Sequence, residues 1–302
     1  MSFDHVKTID TLLLNKEGMA ASFLVGKKKE FALIETGAQA GAEHVYQELL
    51  KLPNFDPKLV KYIITTHIHL DHSGGAPDLL EKFPNANIVH HFKTTRHLED
   101  PSRLWESSYQ TNAYTASLYG KPNPITNERI ISAHAGDVIE VDGIELEFID
   151  APGHHSYHYG ILDRNSNLLY VGDSCGWYWH QTKTIFPTTP PPRFDFKKYK
   201  ETIHEHMKRE PSALAFTHYD IIQGDIEKIL WQSLDAASEW LEIIKEYRSK
   251  DKSITVNDTV DTLIKEKYPG FNTFDRGMKD VIFGISILGI FNYLDTLENV
   301  AL

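Results

Sequence analysis

The chain reads Thr66-His67-Ile68-His69-Leu70-Asp71-His72 at the end of the apolar run Tyr62-Ile63-Ile64, one residue beyond it. This puts four potential metal ligands at one strand end, and imidazole nitrogens with a carboxylate oxygen suit borderline divalent cations. In extended backbone His67 and His69 point the same way and can grip one ion, while Asp71 and His72 face a second position. A polar turn through Ser73-Gly74-Gly75 into a helix from Ala76 explains the punctuation that follows, but not the ligand density before it. A pair of metals needs more donors than this segment supplies. Any fold for the chain must therefore deliver further His and Asp side chains from distant positions to the same strand end.

Such residues recur downstream, each where a strand gives way to a loop. Asp150-Ala151-Pro152-Gly153-His154 follows Leu146-Glu147-Phe148-Ile149, Asp173 closes Val171-Gly172-Asp173 after a hairpin, and His218 ends the run from Ala213. Loops at the ends of a rigid scaffold are the usual seat of functional groups.

Short strand-like runs at 22–25, 31–34, 62–65 and 86–89 are separated by helical stretches, as over 41–52, where Val45, Leu49 and Leu52 share a face. Two hairpins are legible. One spans 138–149 and turns at Asp142-Gly143; the other runs from 159–162 back through 168–171. Sheets interleaved with helices predict layered α/β structure over a first unit, 1–225, and the tail, 226–302, reads as a helical C-terminal extension with Ile226, Leu230, Leu234, Ala237, Leu241 and Ile244 on one face. Residues 93–127 interrupt the pattern with Trp105, Tyr109, Tyr114 and Tyr119. They read either as a helical lid over a pocket or as a surface insertion with its own aromatic cluster. Pro190-Pro191-Pro192 reads as a rigid loop.

The formal charge of −11, from 31 basic and 42 acidic residues, argues against nucleic acid or an anionic membrane as partner and leaves a small-molecule substrate. Cys175 is the sole cysteine, and Met1-Ser2-Phe3-Asp4-His5 lacks the pattern of a leader, so the expected location is cytoplasmic. The most apolar stretch, 281–291, is about half the ~20 residues of a bilayer span. It predicts a buried helix, or one packed on a partner subunit in a homodimer formed through the C-terminal helices.

The ordered ligand set resembles the metallo-β-lactamase superfamily, whose members carry His-x-His-x-Asp-His and then a lone His, a lone Asp and a final His. The likeness covers about residues 20–225 and implies a four-layer αβ/βα sandwich, two sheets face to face with helices outside and metals at one edge. By that resemblance His67, His69 and His154 would hold a first divalent ion, Asp71, His72 and His218 a second, and Asp173 would bridge them. Zinc is the expected metal, with iron or manganese as alternatives. The β-lactamases that name the superfamily generally lack the bridging Asp, so Asp173 points to the group that includes glyoxalase II, lactonases and phosphodiesterases. Flavodiiron oxygen reductases usually have Glu at the position of His69 and carry a flavodoxin domain, which this chain lacks. Glu35-Thr36-Gly37 departs from the Asp that many relatives have before Thr/Ser-Gly.

The resemblance implies a binuclear hydrolase of a small ester, thioester, lactone or phosphodiester, with Asp71 orienting or deprotonating the water. The rivals are a mononuclear iron persulfide dioxygenase using His67, His154 and Asp173, and a metal-dependent nuclease. The complete second ligand set speaks against the former, and the acidic balance with no evident basic stripe against the latter. A purely structural metal fits poorly with a ligand set that lacks cysteine. Around this set, His155 and His158 read as outer partners or leaving-group acids, or as hydrogen-bonded loop. Trp177, Tyr178 and Trp179 read as a pocket wall or as core. Cys175 reads as buried and inert, His90 and His91 as a satisfied edge pair, and His204 and His206 as solvated helix surface.

Overall fold

Alternating apolar runs between turn residues become two facing sheets in the computed structural model, which describes residues 3–300; Met1, Ser2, Ala301 and Leu302 lie outside the described residues. The first sheet follows chain order: β1 Val6–Asp10, β2 Ala21–Val25, β3 Phe31–Ile34, β4 Val60–Ile64, β5 Asn87–His91 and β6 Ile130–Ala133. Strands β1 to β3 are antiparallel and β3 to β6 parallel. Helices Ala42–Leu50 and Ala76–Lys82 make the crossovers, burying Val45, Leu49 and Leu79 with Leu33, Ile63 and Ile88.

The next eight strands are β7 Val138–Val141, β8 Ile144–Asp150, β9 Tyr159–Asp163, β10 Leu168–Gly172, β11 Trp177–Trp179, β12 Thr184–Phe186, β13 Ala213–Phe216 and β14 Asp220–Gln223. All but β11 and β12, which pair with each other, join a second sheet in the order β14-β13-β10-β9-β8-β7. The β7–β8 hairpin turns at Asp142-Gly143 with φ of 50° and 76° and pairs Val141 with Ile144, so the two-residue turn has positive φ at both positions, as the Asp-Gly dipeptide predicts. Between the sheets Phe23, Val25 and Ile64 meet Phe148, Ile161 and Tyr170; the Phe23 and Tyr170 rings are edge-on at 5.3 Å. Full burial of such side chains contributes about 1.5–3 kcal/mol each.

Helices Phe196–Lys208, Ile226–Lys250, Val256–Lys267 and Ile285–Val300 share one apolar cluster with Leu169, Leu214 and Phe216 of the second sheet. Leu230, Leu234 and Ala237 turn inward as their spacing predicts, and Trp240 joins them, donating to the Tyr268 hydroxyl at 2.9 Å and stacking on Phe283 at 5.6 Å. The result is the α/β sandwich with a helical C-terminal extension expected from the sequence.

Several local expectations need correction. Residues 281–291 are short alone, but they belong to a 24-residue helix, Arg276–Asn299, long and apolar enough by length and composition to cross a membrane; half of its apolar 18-residue stretch is buried inside the fold. His206 is fully enclosed rather than solvated, because its spacing from Tyr199, Thr202 and Ile203 puts it on the inward face of its helix, 3.0 Å from Ser174 Oγ. His90 is satisfied, by the hydroxyls of Thr65 at 2.5 Å and Thr94 at 2.8 Å, but β5 lies inside the sheet, not at its edge.

Candidate metal centre

The parallel strand β4 ends at Ile64, and the next residues are tied to both sheets: the Thr66 carbonyl accepts from the Tyr159 N–H at 2.8 Å, and the Thr66 N–H donates to Glu35 Oε1 at 2.8 Å. A single helical turn, Leu70–Ser73, then folds His72 back, its carbonyl accepting from the Thr36 N–H at 2.9 Å. His154 follows β8, Asp173 follows β10, and His218 follows β13. The approach is close enough to require glycine beside two of these residues. At Gly172, φ is 51° and a Cβ would fall 2.5 Å from Thr66 Oγ1; at Gly153, φ is 137° and a Cβ would fall 2.4 Å from the Tyr199 Cα.

One triangle of nitrogens comprises His67 Nε2, His69 Nδ1 and His154 Nε2, with edges of 2.9, 3.0 and 3.2 Å. His154 Nδ1 donates to the Thr188 carbonyl at 2.8 Å, which leaves the Nε2 lone pair aimed at the triangle. Burial, and after it repulsion from neighbouring imidazoles, holds His67 and His69 well below the usual histidine range, so they are neutral donors. An ion about 2.0–2.1 Å from each nitrogen in tetrahedral geometry separates its ligand atoms by roughly 3.3 Å. The triangle fits.

Beside it lie Asp71, His72 and His218. His218 Nε2 is 3.6 Å from Asp71 Oδ2, and its Nδ1 donates to the Met19 carbonyl at 2.8 Å, again leaving Nε2 free to face inward. Asp173 stands between the groups, with Oδ2 3.3 Å from His154 Nε2 and Oδ1 3.3 Å from His72 Nε2. His72 Nε2 and Asp173 Oδ1 are both buried without a hydrogen-bond partner. Burial pulls the His72 imidazole down, but Asp173, Glu35 and Asp71 outweigh it and hold it well above the ordinary value. Burial pushes the Asp71 carboxyl up, and His72 and His218 more than reverse this, to about 2. A carboxylate-rich pocket of this kind calls for positive charge, and the donor set suits divalent cations. All seven ligand-type residues singled out in the sequence meet here, positioned to bind metal ions.

The supporting residues were less legible. Glu35 is fully buried, and its Oε2 lies 2.8 Å from His72 Nδ1, so the residue that departs from the family pattern holds a ligand directly. His158 is an outer partner, stacked on His67 at 4.7 Å and accepting the Asp173 N–H at 3.1 Å. Tyr119 went unassigned in the sequence; its buried hydroxyl reaches Asp71. Trp177 stacks on His218 at 4.4 Å and lines the cavity. Tyr178 does not, a correction that follows from the period-two alternation of β11, which turns its ring toward Phe216 at 5.7 Å. Cys175 is buried as expected, its thiol pushed up to about 12 by burial.

Over the ligands opens a cavity of ≈ 350 Å³. Its walls come from helices Ser102–Thr111 and Ala113–Tyr119, from residues 190–193 and from Val281 and Ile285 of the C-terminal helix. The interruption at 93–127 therefore roofs a pocket, while its Tyr109 and Tyr114 remain exposed on the outside.

A family model described as the metallo-beta-lactamase superfamily matches residues 15–218. A metallo-beta-lactamase fold-containing protein of Sulfurisphaera tokodaii is 26% identical over 169 residues, 55% of this chain and 62% of that one. An atrochrysone carboxyl ACP thioesterase of Pseudocercospora fijiensis is 25% identical over 154 residues, 51% of this chain and 36% of that one. The chain thus spans less than two thirds of the length of these curated relatives. The crystal structure of an archaeal superfamily protein from Sulfolobus tokodaii shares the fold at a TM-score of 0.71 and 20% identity, covering 95% of this chain and 98% of that one.

Proposed function

This chain belongs to the metallo-β-lactamase superfamily, and from that premise we propose that it is a binuclear metal-dependent hydrolase of a small ester, thioester, lactone or phosphodiester. The observation that carries the reading is Asp173, whose two oxygens face the two ligand groups at equal distances of 3.3 Å. A carboxylate so placed suits two ions, one held by His67, His69 and His154 and the other by Asp71, His72 and His218. When bound, the ions would lower the pKa of a shared water to near 7 and polarise the substrate oxygen. Asp71, ionised and partly open to the cavity, would orient the attacking water or accept its proton, with the Tyr119 hydroxyl beside its carboxylate. Apolar walls at Leu104, Val281 and Ile285 exclude bulk water from the bond to be cleaved. The thioesterase activity in the name of the Pseudocercospora relative supports including thioesters. Zinc is the proposed metal, since mixed nitrogen and oxygen ligands without cysteine accept it readily.

Elemental analysis of protein purified without added metal, paired with a hydrolysis panel of the four substrate types and an oxygen-uptake assay on a persulfide donor, tests the reading. About two metals per chain with cleavage and no oxygen uptake is the expected result. One iron per chain with oxygen consumption would replace the hydrolase with a dioxygenase.

A further inference from the structure

Apart from the metal-site residues Asp71 and Asp173, the cavity lining includes no carboxylate; its remaining permanently charged side chains are Lys93, Arg96, Arg103 and Arg193. This concentration of positive charge occurs in a chain of formal charge −11. Elsewhere on the surface Arg164, Arg209, Arg248 and Arg276 are each ion-paired with a carboxylate. Among the described residues no such pair involves the four at the cavity. Lys93 and Arg96 follow β5, Arg103 lies on helix Ser102–Thr111, and Arg193 ends the proline loop, so three separate elements bring their cations to one opening. His97 lines the same cavity, and its imidazole is held below the ordinary histidine value first by burial and then by the charges of Arg96, Arg193 and Arg103. Asp100, the acid that opposes them there, accepts the Ser102 N–H at 3.1 Å and does not line the cavity. Arg193 is steadied over the Tyr157 ring, 5.6 Å from its centroid.

Unpaired guanidinium groups around a concave site focus positive potential into it and offer forked donors that match carboxylate or phosphate oxygens. The lining also includes the apolar side chains of Leu104, Val281 and Ile285, the last two from the C-terminal helix. We infer that the substrate of this cavity is an amphiphilic anion, its carboxylate or phosphate held by Lys93, Arg96, Arg103 and Arg193 and its apolar part laid against the C-terminal helix. A nucleic-acid backbone fits less well, because the cations ring one small cavity rather than forming a stripe. Only the cleavable bond in this inference rests on the hydrolase reading; the anion subsite stands on its own residues.

Three non-hydrolysable thioethers of equal length, ending in a neutral amide, a carboxylate or a phosphate, distinguish the cases by calorimetric binding to the metal-loaded chain. At least one anionic probe should bind about tenfold or more tighter than the neutral one, with the margin shrinking as salt is raised. The better of the two anionic probes identifies the group. The preference should fall markedly in the R103Q/R193Q double variant, which keeps Lys93 and Arg96 and whose exposed substitutions leave the circular dichroism spectrum unchanged. Equal affinity for all three probes, absence of binding by any of them, or a preference undiminished in the double variant, overturns the inference. Hydrolysis of the matching thioesters is scored separately. Anion preference without cleavage removes the hydrolase reading alone, and cleavage without anion preference removes this inference alone.

Discussion

Glu35 Oε2 lies 2.8 Å from His72 Nδ1, and the other oxygen of the same carboxylate accepts the Thr66 N–H at 2.8 Å. One buried acid thus clamps a metal-site imidazole and the backbone that leads into the ligand segment. Its φ of 64° is in the left-handed region, which costs a non-glycine residue of order 1 kcal/mol or more and persists only where surrounding contacts impose it. Partners of this kind orient ligands and raise their basicity. Glu35→Gln should weaken metal binding about 10- to 100-fold in chelator competition, with the fold retained; unchanged affinity would remove Glu35 from this role.

Asp173→Ala removes the one carboxylate that faces both ligand groups. Elemental analysis should show fewer than two metals per chain and a loss of hydrolysis, with the sheet signal in circular dichroism retained. Two metals retained per chain would end the bridging assignment.

Tyr119→Phe deletes only the hydroxyl that reaches Asp71. Metal content should not change, and kcat should fall about tenfold with KM little altered, a modest part of what general-base catalysis contributes. A rise in KM alone would make Tyr119 a substrate contact.

Gly172→Ala would press a methyl group to 2.5 Å from Thr66 Oγ1 and 2.7 Å from His158 Nε2 at a φ of 51°. Thermal unfolding should report a loss of about 1–3 kcal/mol. Gly270→Ala meets nothing within 4 Å and serves as the control; equal effects of the two substitutions would refute the close approach.

His90 is enclosed between Thr65 and Thr94, and burial lowers its imidazole to about 3. The unfolded chain takes up this proton near 6.5 and the folded chain only near 3, so the stability from neutral His90 is fully present above 6.5 and is lost as pH falls through that window. The contribution to the slope is about 1.4 kcal/mol per pH unit. Denaturant unfolding at pH 7 and pH 5 should show a smaller acid loss in His90→Gln than in the natural chain; identical losses would show that His90 plays no part.

The sequence by itself determined the strand runs at 22–25, 31–34, 62–65 and 86–89, the two hairpins, the inward face of the long tail helix and the ligand cluster at 67–72, because each rests on short-range spacing: apolar alternation, the Asp-Gly turn, the four-residue repeat, and ligand-type residues crowded at a strand end. Strands β1, β6, β12 and β14 carried no such signal, and His154, Asp173 and His218 stood out as strand-end residues whose order resembled a family pattern. What it could not determine were the relations between residues far apart in the chain. His154 meets His69 across 85 positions and Glu35 meets His72 across 37, and no local periodicity encodes either pairing. Tyr119, His206 and the four cavity cations were missed or misread for the same reason. Their environments are set by helices and loops that pack from separate parts of the chain, so only the tertiary structure decided which polar side chains were surface and which were site.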